Sequence, residues 1–177
     1  MFEDESGVSL LPAVRATWAP RGQTPVLRHR FNWKRLSMAG ALAYEPDGTE
    51  AQLVFQIRPG AYNDETLIEF LTAMHQLLDG RKVLLVWDGL PSHRRHRDAG
   101  LDRPAAVLAG GGAAGRLCAG AEPGRGLWSS LRAVELANLA TPTLGEVIDQ
   151  AHRGIDRVRR TPQPAYSFLR RTGLSVS

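Results

Sequence analysis

Cysteine is almost missing. Cys118 is the one thiol among 177 residues, which excludes an internal disulfide and a multi-thiolate cluster and leaves any metal to oxygen or nitrogen ligands. Long apolar runs are missing too: no stretch approaches the roughly 20 residues of a membrane-spanning helix. The opening Met-Phe-Glu-Asp-Glu-Ser has neither the basic nor the apolar part of a secretory signal. A cytoplasmic protein with no membrane partner is expected. With 43% hydrophobic and 23% charged residues, the chain has enough apolar surface for one globular domain, which argues against full-length disorder, and is too short for two large domains. Lysine is scarce as well. Lys34 and Lys82 stand against 20 arginines, as in a GC-rich coding sequence.

What is present is a moderate basic excess, 22 Lys+Arg against 18 Asp+Glu, and its distribution is uneven. Between Ala151 and Arg171 the single acid is Asp156, against Arg153, Arg157, Arg159, Arg160, Arg170 and Arg171. A second cluster is His93-Arg94-Arg95-His96-Arg97. Both suit a phosphate backbone, with His93, Arg94, Arg95, Arg97, Arg153, Arg157 and Arg160 as the candidate contacts. A solvated helix face or loop is the competing reading of each cluster.

Periodicity then orders the elements. The first residues are strand-like and end at Asp4-Glu5-Ser6-Gly7, before an irregular stretch punctuated by Pro12, Pro20, Gly22 and Pro25. Leu36 to Tyr44, a turn at Glu45-Pro46-Asp47-Gly48, and Leu53, Phe55 and Ile57 alternating with glutamines read as an antiparallel hairpin. Asn63-Asp64 opens a helix carrying Leu67, Ile68, Phe70, Leu71, Met74, Leu77 and Leu78, and Gly80 stops it. Val83-Leu84-Leu85-Val86-Trp87-Asp88-Gly89 reads as a strand buried on both faces. From Ala109 to Gly126, seven glycines predict no stable element. Order resumes in a helix from Leu127-Trp128 through Leu131, Val134 and Leu139, then in another from a Thr143/Glu146 capping box to Pro162 and Pro164. Trp18, Trp87 and Trp128 are expected in the core. Strands, helix and buried strand in this order imply an α/β sheet.

Two acids stand out. Asp4 follows what reads as the end of the first strand, and Asp88 ends the most apolar strand, before Gly89. Strand ends of an α/β sheet form ligand-binding crevices, and converging carboxylates hold hard divalent cations such as Mg²⁺. Taken alone, an Asp before a Gly is equally at home in a turn.

The segments Asp4-Glu5-Ser6-Gly7, Trp18-Ala19-Pro20-Arg21-Gly22, Leu84-Leu85-Val86-Trp87-Asp88-Gly89-Leu90-Pro91-Ser92-His93 and Gly126-Leu127-Trp128-Ser129-Ser130-Leu131 resemble, in this order, the catalytic half of mariner-related DDE transposases from bacterial insertion sequences. The resemblance runs from residue 1 to about 140, with a break from about 99 to 125. It implies an RNase H-like mixed sheet flanked by helices, with Asp4 and Asp88 as the first two metal-binding acids. It also implies Mg²⁺-dependent cutting and joining of DNA, with Mn²⁺ as the alternative ion. Residues 1–140 would be the catalytic domain and 141–177 a basic helical extension.

Two departures follow from the same comparison. The family carries a helix-turn-helix region ahead of the catalytic domain, and this chain starts almost on Asp4. End recognition would then come from a separate helix-turn-helix polypeptide; a second copy of the chain is the other protein partner considered. The family's third acid lies in an Asn-Pro-x-Glu motif, whereas alignment on Trp128 sets Arg125 at the acid and Glu122 at the Asn. Glu122 is the remaining candidate for the third catalytic and metal-binding acid. The break at 99–126 is read as a local frame disturbance. Three functions stay open at this level: an active DDE domain, a non-catalytic remnant that binds nucleic acid without sequence preference, and a related RNase H-like nuclease.

Overall fold

The structure, a computed structural model, describes residues 1–29, 32–79, 81, 83–86 and 122–174. Asp88, His93, Arg94, Arg95 and Arg97 lie outside the described residues, as do Trp87 and Cys118. Strand β1 (Phe2–Ser9), β2 (Arg35–Tyr44) and β3 (Ala51–Pro59) form an antiparallel sheet in the order β1-β2-β3. The expected hairpin is β2–β3, closed around Gly48, whose φ of 69° favours glycine. Val86 bridges Phe2 in parallel on the other edge of β1. There the Glu3 N–H donates to the Val86 carbonyl at 3.0 Å, and the Val86 N–H donates to that of Met1 at 2.8 Å. This makes β1 an interior strand. It also extends past the expected end at Gly7 to Ser9, because Val8 and Ser9 pair with Leu36 and Arg35 and ladder pairing overrides the weak strand propensity of the preceding Glu5, Ser6 and Gly7. Asp4 therefore lies inside the strand and not at its end.

Period-two alternation sends side chains to two cores. Met38, Leu42 and Leu53 face one side, and Ala39, Ala41 and Val54 the other. The second side is covered by α1 (Asp64–Leu77) through Leu67, Phe70 and Met74. Asn63 caps α1 reciprocally with Thr66: the Thr66 N–H donates to Asn63 Oδ1 at 3.0 Å and the Asn63 N–H to Thr66 Oγ1 at 2.9 Å. The first side carries α2 (Pro123–Ala133), α3 (Leu144–Arg160) and α4 (Pro162–Arg171). Their residues Leu127, Trp128, Leu131, Val147, Ile155 and Phe168 join Met38 and Leu42 in one core.

Three expectations are corrected here. Helix α2 begins at Pro123, four residues before Leu127, with proline in the first turn, where its missing N–H is harmless. The glycines at 124 and 126 serve close packing: a methyl at Gly126 would lie 2.7 Å from the Phe168 ring. The helix stops at Ala133, leaving Val134 at its cap and 58% exposed. Pro162 ends α3 as expected, and the same proline opens α4 after Thr161 turns extended. Trp18 is fully exposed instead of core. Its segment makes no strand or helix, and it is tied at the root by Asn138, whose N–H donates to the Ala13 carbonyl at 2.9 Å. Asn138 adopts φ 53°, a conformation asparagine tolerates, and its Oδ1 accepts from the Arg15 N–H at 2.8 Å. The Thr143 hydroxyl caps the Glu146 N–H at 3.3 Å as expected, but the Glu146 carboxylate returns to the hydroxyl at 3.1 Å. Among the described residues no helix is long and apolar enough to cross a membrane.

The packing makes the fold alkali-sensitive. Burial raises the Tyr62 hydroxyl to about 12 against the moderating charge of Arg58; burial, then the neighbouring Tyr166, raises that of Tyr44 further. Tyr44 donates to the Ala165 carbonyl at 2.8 Å, joining β2 to α4. Both phenols ionise more readily in the unfolded chain, so stability holds below about pH 10 and falls as pH rises through the folded values. Urea midpoints at pH 8 and 10.5 will show the loss, and Tyr62→Phe will reduce it.

A candidate metal centre at Asp4

Asp4 pairs with Gly40 of β2 and lies two residues along β1 from the Phe2–Val86 bridge, on the face covered by α2. Residues four apart on a helix share a face, and Gly124, Trp128 and Arg132 use that spacing to lay α2 along β1. A methyl at Gly124 would fall 2.4 Å from Asp4 Cβ and 2.9 Å from its Oδ2, so only glycine fits. One turn later the Trp128 Nε1–H donates to Asp4 Oδ2 at 3.0 Å. Gly40, opposite Asp4 in the register, makes room for the indole: a methyl there would lie 2.8 Å from Trp128 Cη2. A further turn on, Arg132 Nη2 donates to Ser6 Oγ at 2.8 Å and to the Gly7 carbonyl at 3.1 Å.

Glu122 precedes α2 as its N-cap residue, with no side-chain capping bond. Its carboxylate is 15% exposed and 3.7 Å from Nε of Arg125, whose own side chain is 56% exposed. The structure thus brings Asp4 to the segment that carries Glu122 and Arg125.

Of the basic candidates, Arg153 and Arg160 are exposed on α3. Arg157 is engaged internally: it donates to Glu135 Oε1 at 2.6 Å, Glu135 Oε2 at 3.0 Å and Ser130 Oγ at 3.0 Å. The Glu135 bonds hold its guanidinium above the usual arginine value. Glu135→Ala will cost about 1 kcal/mol in urea unfolding, below the full value of a charged bond because Arg157 stays 35% exposed.

Sequence reasoning placed Trp128 in the core, and it is 4% exposed; its bond to Asp4 went unread. The available signal was the four-residue spacing of Gly124, Trp128 and Arg132.

Oxygen donors suit a hard divalent cation. A carboxylate has about four lone-pair sites, so the indole bond does not by itself exclude ligation by Asp4. Among the described residues no group of three or more His, Cys, Asp or Glu is arranged to hold a metal. Asp4 fits in kind, and further ligands are needed to complete a shell.

A family model described as DDE superfamily endonuclease matches residues 1–98, more than half of the chain. The chain belongs to this family. No curated protein matches it. The DDE superfamily endonuclease chain is similar in structure to the Mos1 strand transfer complex, with 15% identity, a TM-score of 0.50, and coverage of 99% of this chain and 55% of that one. A Mos1 transposase paired-end complex with left transposon end gives 18% identity and a TM-score of 0.48 over 99% and 56%. This DDE chain thus spans about half the length of the Mos1 chains. Its fold is the RNase H-like one expected from the sequence.

Proposed function

We propose that the protein is the catalytic core of a transposase from a bacterial insertion sequence, cutting and joining DNA strands with Mg²⁺ or Mn²⁺ held by Asp4, Asp88 and Glu122. The observation that carries this reading is the parallel bridge between Phe2 and Val86. Asp4 follows Phe2 by two residues, and Asp88 follows Val86 by two. Two acids on neighbouring strands, which is what the proposal requires of Asp4 and Asp88, can share one hard cation. Membership of the DDE superfamily endonucleases supports the same assignment. A divalent ion held by Asp4, Asp88 and Glu122 would supply Lewis-acid activation of a hydroxyl and charge stabilisation at a phosphodiester.

Each residue has a part. Asp4, on an interior strand, supplies a rigid oxygen donor. The mostly buried carboxylate of Glu122 supports its assignment as third acid, while Arg125, mostly in solvent and 3.7 Å away, stands where the resemblance sets that acid. Arg153 and Arg160, exposed on α3, together with His93, Arg94, Arg95 and Arg97, contact the DNA backbone. Residues 1–140 form the catalytic unit and 141–177 its basic extension. The protein acts in the cytoplasm, alone or as a homodimer, and selects DNA ends through a helix-turn-helix polypeptide.

The Glu122–Arg125 ion pair favours a second reading, a non-catalytic remnant that only binds nucleic acid. The test is nicking of supercoiled plasmid by the purified protein with Mn²⁺ or Mg²⁺, chelator controls and the Asp88→Ala variant. The first reading expects metal-dependent nicking that Asp88→Ala abolishes. Nicking that survives this change refutes the site. Absence of nicking, with DNA binding that weakens steeply with salt, selects the remnant.

A further inference from the structure

Building on Asp4 as a metal ligand, we infer that Trp128 is a positioning residue for it: the indole N–H, by bonding Oδ2, sets the rotation of the carboxylate that meets the cation. The bond is 3.0 Å long and joins the interior of β1 to the middle of α2. Trp128 is 4% exposed, so its N–H has little water to fall back on, and a buried donor without an acceptor costs about 1–3 kcal/mol. The indole therefore holds its acceptor. A donor bonded to a charged oxygen also makes the stronger kind of hydrogen bond.

Both partners are clamped. On one side, Gly40 leaves no space behind the ring, where a methyl would stand 2.8 Å from Cη2 and 3.1 Å from Cζ2. Phe55 tilts against the ring at 6.4 Å between centroids. On the other side, the approach of Gly124 leaves no room for a methyl against Asp4 Cβ, Cγ and Oδ2. Arg132 pins the helix one turn further along the same strand. A tryptophan needed only for its volume would be served by any acceptor. Here the acceptor is the acid that the fold sets on an interior strand, two residues from the Phe2–Val86 bridge. Groups that orient a metal-ligating carboxylate are worth about 10–100-fold in metal affinity.

The test uses the full chain. Trp128→Phe keeps a ring against Gly40 and removes the donor. Mn²⁺ affinity is measured by electron paramagnetic resonance on wild type, Trp128→Phe, Asp4→Asn and Leu131→Ala, the last a core change three residues further along the same helix. The expected result is a Kd raised about tenfold or more by Trp128→Phe, raised at least as much by Asp4→Asn and unchanged by Leu131→Ala. In the ¹⁵N spectrum of wild type, the one of four tryptophan indole signals that belongs to Trp128 should move on adding Mg²⁺ and stay put in Asp4→Asn. A wild-type Kd in Trp128→Phe overturns the positioning role while leaving the metal centre standing. Wild type that binds no Mn²⁺, or Asp4→Asn that binds it normally, overturns both. Should Trp128→Phe fail to fold, the Trp128 signal, assigned by replacing the other tryptophans singly, decides: no shift with Mg²⁺ overturns the role.

Discussion

Gly124→Val will cost the protein about 3 kcal/mol, seen as a large drop in urea midpoint, and will break the Trp128–Asp4 bond. The reason is geometric. The first carbon of any side chain at position 124 would lie 2.4 Å from Asp4 Cβ, and both atoms are fixed to backbone, one in a helix and one in an interior strand. No rotamer relieves that overlap, so α2 must lift from β1. Overpacking of this kind costs about 1–3 kcal/mol. Lifting the helix also separates the indole N–H from its carboxylate, which adds about 1–3 kcal/mol for a buried donor left unpaired. Gly145 in the first turn of α3 is the control. Its nearest neighbour to an added methyl is 3.9 Å away, so Gly145→Ala should be neutral or stabilising by up to about 1 kcal/mol. If Gly124→Val unfolds within about 0.5 kcal/mol of wild type, the scatter of an ordinary surface change, then α2 does not rest on Asp4.

The elements that sequence reasoning found are those written in local code. The β2–β3 hairpin has alternation on both arms and a glycine at its turn, and α1 has an Asn63 cap with an apolar stripe behind it. The start of α3 is legible for the same reason. The misreadings share a cause in tertiary context. Glycine at 124 and 126 looks like loop composition until Asp4 and Phe168 are seen pressing on those positions. Glu5-Ser6-Gly7 looks like the end of the first strand until the ladder with β2 is seen to run on to Ser9. Pro162 carries a stop signal whose second meaning, a helix start, depends on α4 finding the core through Ala165, Phe168 and Leu169. Trp18 was placed by composition alone, and composition does not say which aromatic meets the sheet. At the site, Asp4 was legible as an acid in a strand-like opening. Its partner Trp128 lies 124 residues away, and no short-range pattern connects the two.

Leu131→Ala will cost about 3–4 kcal/mol, within the range for a buried leucine cut to alanine, and will leave Mn²⁺ affinity of the folded protein unchanged. Leu131 is completely buried and belongs to the core that α2, α3 and α4 share with the sheet. Its Cγ stands 3.1 Å from where a methyl at Gly154 of α3 would be. Glu135 packs on the same glycine and pairs with Arg157 of α3, so the surrounding backbone is braced and collapses little into the hole. For a domain whose whole stability is about 5–15 kcal/mol, this is a large share. The contrast with Trp128 is the point of the experiment. Both side chains are buried on α2 in the same core, but Leu131 contributes only apolar volume there, whereas Trp128 also hands a proton donor to Asp4. If stability and metal affinity fall together for both variants, α2 matters to the site only as bulk. If stability alone falls for Leu131→Ala while affinity falls for Trp128→Phe, the helix carries two separable functions on side chains three residues apart.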